Sequence, residues 1–546
     1  MYSFIKKKEQ RPEKSVPFFK VNFTILIIVF ALIFTFAFKQ SPLFTTNQHT
    51  KFLHGLAHAG YGHLNEDWQA NTKNGLPAFT ALVYVTYKIS NRYMFYVYRV
   101  LFFILFFFLC YAIGERLFLI KASYQARICF ALSICFIFSH FFSDIFRWDA
   151  WGGAAGQYIP SYFQPSFFGV FILLSFYLFL KKKYSWALLS TSISALFHPA
   201  YLLSAVVINL TYFFVFYKEK LLDWKILSFF LISLLVIIST PVYMAIIFAP
   251  TTPEMFALSK EILAFTRIPH HSKVEIWFSG IIPWLQVLIL LLSLWLIRKS
   301  KLMIVLATCS VVGILLTAAQ YFIKDAGLAL LAPWRISVFL YPLSIIILLS
   351  YIFKKWFSKT RQGQNISVII CGVIVLASVF YSGYGYYAYY KGTINNIFKH
   401  YLSLEKKGVK VKHKEIALKN NTDKKKKKSD NLSVLDYIRK NGRSGQVYLT
   451  HAKMHNFRLD SGMPQFVSWK SHPYKDVEVL EWHKRINFVN SIFDEDLFNC
   501  EIFQKMLKEY KITHLLINKK KTKEPACSNL QLIKTDGNYN LYKVNI

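Results

Sequence analysis

Glu66 and Asp67 stand side by side in GYGHLNEDWQANTKNG (residues 60–75), next to Trp68 and a short way past the first long apolar run. A carboxylate in such a loop can take the proton from an acceptor hydroxyl, or bind a divalent ion that clamps a phosphate. Its plainer reading is a solvated acidic loop. Trp68 and the nearby His63 favour the chemical one, because sugar rings are often stacked on tryptophan. A second group is RIPHH, where Arg267, His270 and His271 surround Pro269. An arginine and two histidines suit a phosphate or pyrophosphate held by charge-assisted hydrogen bonds. A metal is the alternative, but adjacent histidines do not readily share one ion, and no spaced third ligand follows.

Other ionisable groups lie at the ends of apolar runs, where their cost makes them functional candidates. Asp144 and Asp149 flank Arg147 in SDIFRWDAWGGAAGQYIPSY, His198 precedes Pro199, and Arg335 opens an apolar run in APWRIS. Each has an ordinary reading as well: the aspartates pair with Arg147, His198 caps a helix, and Arg335 anchors an interface. Near the C-terminus, Arg458, Lys470 and Lys475 could face the membrane domain and help hold an anionic substrate, or could serve to dock the tail. Glu481 and Arg485 are spaced i,i+4 and suit a local pair.

A polytopic helical membrane protein must position these groups. Hydrophobic residues make up 54% of the 546-residue chain, aromatics 18%, and the mean hydropathy is +0.33. Several runs reach the length of about 20 apolar residues that spans a bilayer. The net charge of +36 could suggest nucleic acid. Much of the lysine and arginine, however, sits in short clusters between apolar runs, as membrane topology requires. No nucleic-acid module, Walker motif or dinucleotide glycine motif is present, so a nucleic-acid partner is not expected. The seven cysteines form no metal-spaced set. Cys500 and Cys527 share one soluble region and could pair there in an oxidising compartment.

Residues 1–20 are a basic cytoplasmic N-terminus, and residues 21–38 read as a retained signal-anchor. Further spans are expected near 93–113, 128–142, 163–180, 184–197, 201–217, 226–248, 281–297, 303–322, 336–353 and 367–386. Residues 78–89 are short enough for a re-entrant or interfacial helix. About eleven spans with an inside N-terminus place the C-terminus outside, and the lysine clusters agree at each turn. The transmembrane domain covers 21–390, a basic linker 391–431, and an extracytoplasmic α/β domain 432–546. In that domain residues 435–440 and 477–489 look helical, 446–450 and 511–517 look like strands, and DGN at 536–538 reads as a hairpin turn. All the candidate residues then collect on the outer face.

This layout, an acidic pair in the first outer loop, many spans and an outer C-terminal domain, resembles the GT-C superfamily of membrane glycosyltransferases. RIPHH together with NFRLDSGMPQFVSWKSHPYKDVEVLEWHKRI (residues 456–486) is similar to an uncharacterised bacterial family of multi-pass proteins in which the two segments recur. The GT-C resemblance implies transfer of a sugar from a polyprenyl-phosphate donor to a glycan or lipid acceptor outside the bacterial inner membrane. It implies Asp67 or Glu66 as general base, with a divalent cation as an optional helper, and by location Arg335 as a phosphate ligand. Trp68, Asp144, Asp149, His198, Arg267, His270, His271 and Lys470 complete the expected substrate site. The alternatives are a surface-polysaccharide polymerase or ligase, and a non-enzymatic transporter or flippase of an anionic lipid.

Overall fold

The computed structural model describes residues 23–38, 41–118, 120, 124–139, 154, 156–357, 361–389, 433–493, 498–522 and 524–545. Asp144, Arg147, Asp149, the basic N-terminus and the linker 391–431 lie outside the described residues.

A helix stands at each expected span. Five are long and apolar enough to cross a membrane: Met94–Phe118, Pro199–Lys218, Trp224–Ile247, Lys301–Ile323 and Ala326–Lys355. Shorter apolar helices include Ile25–Thr35, Ala126–Ile137, Pro165–Leu180, Ile282–Leu296 and Asn365–Ala377. Pro77–Ile89 has 13 residues, roughly 20 Å, well short of a bilayer core. The long helices differ in how much apolar surface they leave outside: Ala326–Lys355 is mostly buried among its neighbours, whereas Trp224–Ile247 is mostly exposed. In Trp224–Ile247 only 22% of the apolar window is buried, which leaves Leu231, Leu235, Ile238, Val242 and Ile246 on a face suited to lipid.

Local chemistry sets the helix starts. Asp223 accepts from the Ile226 N–H at 2.6 Å, Asp325 caps Leu328 at 2.7 Å, and Thr252 caps Met255 at 3.2 Å. Proline opens Pro77–Ile89 and Pro253–Glu261, where its missing N–H costs nothing. The run expected at 163–180 begins instead with a 3₁₀ turn, Pro165–Gly169, before Val170–Leu180. Gly169 packs under Tyr158 and Tyr201, and a β-carbon there would come within 2.4 Å of a Tyr158 ring carbon and of the Tyr201 hydroxyl. Between helices, the core is largely aromatic. Phe34 lies 5.6–6.2 Å from the rings of Phe38, Phe103, Phe106, Phe107 and Phe138.

The tail holds a four-stranded sheet in the order β1-β2-β4-β3, with β1 Tyr448–Thr450, β2 His514–Asn518, β3 Leu530–Thr535 and β4 Tyr539–Val544. β1 and β2 run parallel, while β2–β4 and β3–β4 are antiparallel. The DGN segment is the β3–β4 turn: Asp536 Oδ1 accepts from the N–H groups of Asn538 and Tyr539, both at 2.7 Å. Helix Asp476–Ile492 buries Val479, Trp482, Ile486 and Val489 along one stripe against Leu515 and Ile517 of β2. A disulfide joins Cys500, at the start of helix Cys500–Glu509, to Cys527 before β3.

Candidate functional site: a tail seam and a cationic cluster

The acidic pair is part of a seam. Residues 61–73 form a cradle, and the tail sits in it. The 3₁₀ turn Leu64–Glu66 ends at Asp67, whose extended backbone (φ −73°, ψ 126°) sends the two acids in different directions. Asp67 is fully buried, and so is Arg458 of the tail. Arg458 Nε donates to Asp67 Oδ2 at 2.6 Å, the Gln465 N–H donates to the same oxygen at 2.8 Å, and the Ala70 N–H donates to Oδ1 at 3.1 Å. Arg458 Nη2 also donates to Gln69 Oε1 at 2.6 Å and to the Gln465 carbonyl at 3.1 Å.

These bonds engage both Asp67 oxygens, and the side chain keeps no exposed surface for an acceptor hydroxyl to reach. In this arrangement Asp67 joins the first loop to the tail, at the position where the sequence suggests a general base. Glu66 faces the other way. It accepts from Ser444 Oγ at 2.6 Å and the Gly445 N–H at 2.7 Å, and these bonds, Ser444 first, hold its carboxyl below the usual range. Trp68 also serves the seam: its ring lies 4.0 Å from the Arg485 guanidinium, so that face is taken by a cation rather than open to a sugar. Arg485 pairs with Glu481 at 2.7 Å, as their spacing suggests. Glu66, Trp68, Gln465, Phe466, Arg485 and Tyr510 line a cavity of about 130 Å³.

Close backbone approach completes the cradle. Gly62 (φ +58°) lies directly against Gly462 (φ +72°), and the His63 N–H donates to the Gly462 carbonyl at 2.7 Å. A β-carbon on Gly62 would stand 2.2 Å from that carbonyl oxygen. On the far side, Asp476 accepts from Thr251 Oγ1 at 2.8 Å, and Lys475 bonds Thr251 and Asp476. Lys475 and Arg458 are thus docking residues.

Lys470 has a different setting. Its ammonium lies in the field of Arg267 and Lys51, and burial together with those two cations pushes it down to about 8. Around it gather His49 and Lys51 of the first loop, Arg267, His270 and His271 of the loop before Ile282–Leu296, Arg335 of the turn Pro333–Ile336, and His455 and His472 of the tail. His198, at the break between Tyr184–Phe197 and Leu202–Lys218, faces Arg335, Lys51 and His271. Lys51, Arg267, Arg335 and Lys470 have no carboxylate partner among the described residues.

Burial and the surrounding cations hold the histidines here toward the neutral form. Burial, then Lys470, drives His49 down to about 3, and burial followed by Arg335 holds His271 far below its ordinary value. His271 Nδ1 lies 2.8 Å from the Ala154 carbonyl, which can only accept. The proton is therefore on Nδ1, and Nε2 carries a lone pair. Arg267 donates Nη2 to the Lys470 carbonyl at 3.0 Å and leans on Trp469, while its buried Nε has no partner among the described residues. The same holds for the buried Nδ1 atoms of His49 and His198. Among the described residues, no three His, Cys, Asp or Glu side chains group as a metal site.

Of the expected site residues, the structure brings together His198, Arg267, His270, His271, Arg335 and Lys470, and places Glu66, Asp67 and Trp68 in the seam. Lys51, His49, His455 and His472 join the cluster without having been expected there as ligands. For Lys51 and His49 the sequence signal is the density of histidine in HTKFLHGLAHAGYGH (residues 49–63); His455 and His472 have no comparable signal.

Residues 429–489 match a family described as Domain of unknown function (DUF6798). The match takes in β1, Arg458, the segment bearing Lys470 and His472, and most of helix Asp476–Ile492. No curated protein matches the chain.

Proposed function

We propose that the protein is a membrane glycosyltransferase that binds the phosphate of a polyprenyl-linked sugar in the cationic cluster, on the extracytoplasmic face. The observation that carries the reading is the set of four cations, Lys51, Arg267, Arg335 and Lys470, gathered from four segments with no carboxylate among the described residues to neutralise them. Like charges held together in a partly desolvated space repel one another, and an anion removes that cost. The site lies where the helix ends meet the tail, so a lipid chain could stay in the membrane while its phosphate sits among the cations. The lysine clusters at the opposite helix ends and the Cys500–Cys527 disulfide both favour an outward-facing tail. The sugar-transfer step rests on the GT-C-like layout.

In that step the acceptor oxygen would bond to the anomeric carbon as the bond from that carbon to the phosphate oxygen breaks. The departing phosphate keeps the electron pair and stays with Arg267, Arg335 and Lys470. With Asp67 and Glu66 engaged in the seam, the acceptor's proton would pass to an imidazole of the cluster, made more basic by the phosphate bound beside it.

The test uses the full chain in lipid nanodiscs, comparing retention of a polyprenyl phosphate with that of the matching polyprenol. Retention of the phosphate should fall roughly 10- to 150-fold in Arg335→Ala, the worth of one charge-assisted bond. Equal retention of phosphate and alcohol would overturn the anion site. Phosphate-selective retention without release of polyprenyl phosphate from a polyprenyl-phosphate sugar would overturn the transferase and leave the lipid-transport alternative.

A further inference from the structure

Lys470 sits on a strap, residues 464–475, that has no helix or strand of its own. Such a segment keeps a long side chain in place only if its backbone is held elsewhere, and here the first loop does the holding. Gln69 Oε1 accepts from the Ser468 N–H at 2.6 Å, and Gln69 Nε2 donates to the carbonyls of Ser468, at 3.1 Å, and Ser471. Asp67 accepts from the Gln465 N–H, and Arg267 donates to the carbonyl of Lys470 itself. At the centre, one guanidinium grips both sides: Arg458 reaches Asp67 and Gln69 on the loop and the Gln465 carbonyl on the strap.

We infer that Arg458 is a positioning residue for the anion site: through Asp67, Gln69 and Gln465 it fixes the strap so that Lys470 completes the cationic cluster, and the site exists only with the tail docked. The inference rests on the anion-binding reading above. It goes beyond docking because it ties a buried ion pair to the affinity for ligand. A planar guanidinium can serve three acceptors in a fixed fork, whereas a lysine ammonium at the same place cannot match that geometry.

The experiment follows binding of inorganic pyrophosphate to the full chain in nanodiscs from pH 6 to pH 10. Lys470 faces Lys51 and His49 from the first loop, Arg267 and His270 from the long loop, and His455 from the tail. Its proton is lost near pH 8 in the free protein. Wild-type affinity should therefore drop as pH rises through that point, and Lys470→Arg should remove the drop. Arg458→Lys should weaken binding about tenfold or more, the worth of one misplaced bond to a charged ligand. It should also move the drop toward the ordinary lysine range, because the strap no longer holds Lys470 among cations. Gln69→Ala, which removes no charge, should act in the same direction and serves if Arg458→Lys does not fold.

Wild-type affinity and midpoint in both variants would overturn the inference, as would weaker binding with the midpoint unmoved, which is what a general loss of structure gives. If the wild type binds no pyrophosphate at all, the anion reading fails instead. The positioning claim then stands or falls on the pH dependence of Lys470 acylation by an amine reagent, with a midpoint near 8 in wild type that should move upward in Arg458→Lys and would stay unmoved if Arg458 does not position the strap.

Discussion

Arg267→Met offers a test with two opposite signs. Arg267 is 9% exposed and its guanidinium is depressed from 12.5 to about 10, chiefly by burial. That fall corresponds to roughly 3 kcal/mol opposing the buried charge in the free protein. Methionine of similar length would remove this cost. It would give up the bond to the Lys470 carbonyl, worth about 1 kcal/mol, and the contact with Trp469, worth about 0.5–1 kcal/mol. The free protein should gain about 1–2 kcal/mol, while the ligand loses a charged partner. The assay is the apparent melting temperature in nanodiscs, with and without pyrophosphate. Wild type should melt low when free and rise on adding ligand. Arg267→Met should melt higher when free and rise far less. A variant that is destabilised when free yet keeps the full ligand-induced rise would refute the reasoning, for Arg267 would then be an ordinary structural residue.

The seam, the disulfide and the histidines each give a further expectation. Gly62→Ala should loosen the tail by at least about 1–2 kcal/mol from the left-handed backbone alone, before the clash with Gly462, and proteolysis of the seam would report it. Replacing Cys500 and Cys527 by serine should lower tail stability by about 3.5 kcal/mol in the chain-entropy account, measured by denaturant unfolding. His49, His455 and His514 are held down to between about 3 and 4, burial being the first cause in each, against roughly 6.5 when unfolded. Between those values the unfolded chain binds the protons that the folded chain refuses. Stability should thus fall as pH drops from about 6.5 toward 4, by up to about 1.4 kcal/mol per pH unit for each histidine and less for the partly exposed ones. A flat profile by thermal melting would contradict their burial.

The helices were readable in the sequence because a bilayer imposes one long apolar period, and every expected span coincides with a helix. The DGN turn was readable because an aspartate at its start can accept from the two N–H groups that close it, as Asp536 does. The fate of Glu66–Asp67 was not. Adjacency says nothing about burial, and the partner that claims Asp67 lies 391 residues further on. The cluster was half legible. RIPHH and APWR announce themselves by composition, but Lys51 and His49 become site residues only when four distant segments fold together. Lys470 was named among substrate contacts with no sign that a loop seventy residues from the N-terminus fixes its place.

The ring of histidines held toward the neutral form around the cations has a consequence for the chemistry of occupancy. A phosphate arriving there reverses the local field, and imidazoles that refused a proton in the free site, His49, His270, His271 and His472 among them, would accept one more readily. Occupancy would then draw protons from solution, and by linkage a more acid medium would tighten the hold. If the proposed anion site holds, the cluster would couple its own filling to the acidity of its compartment.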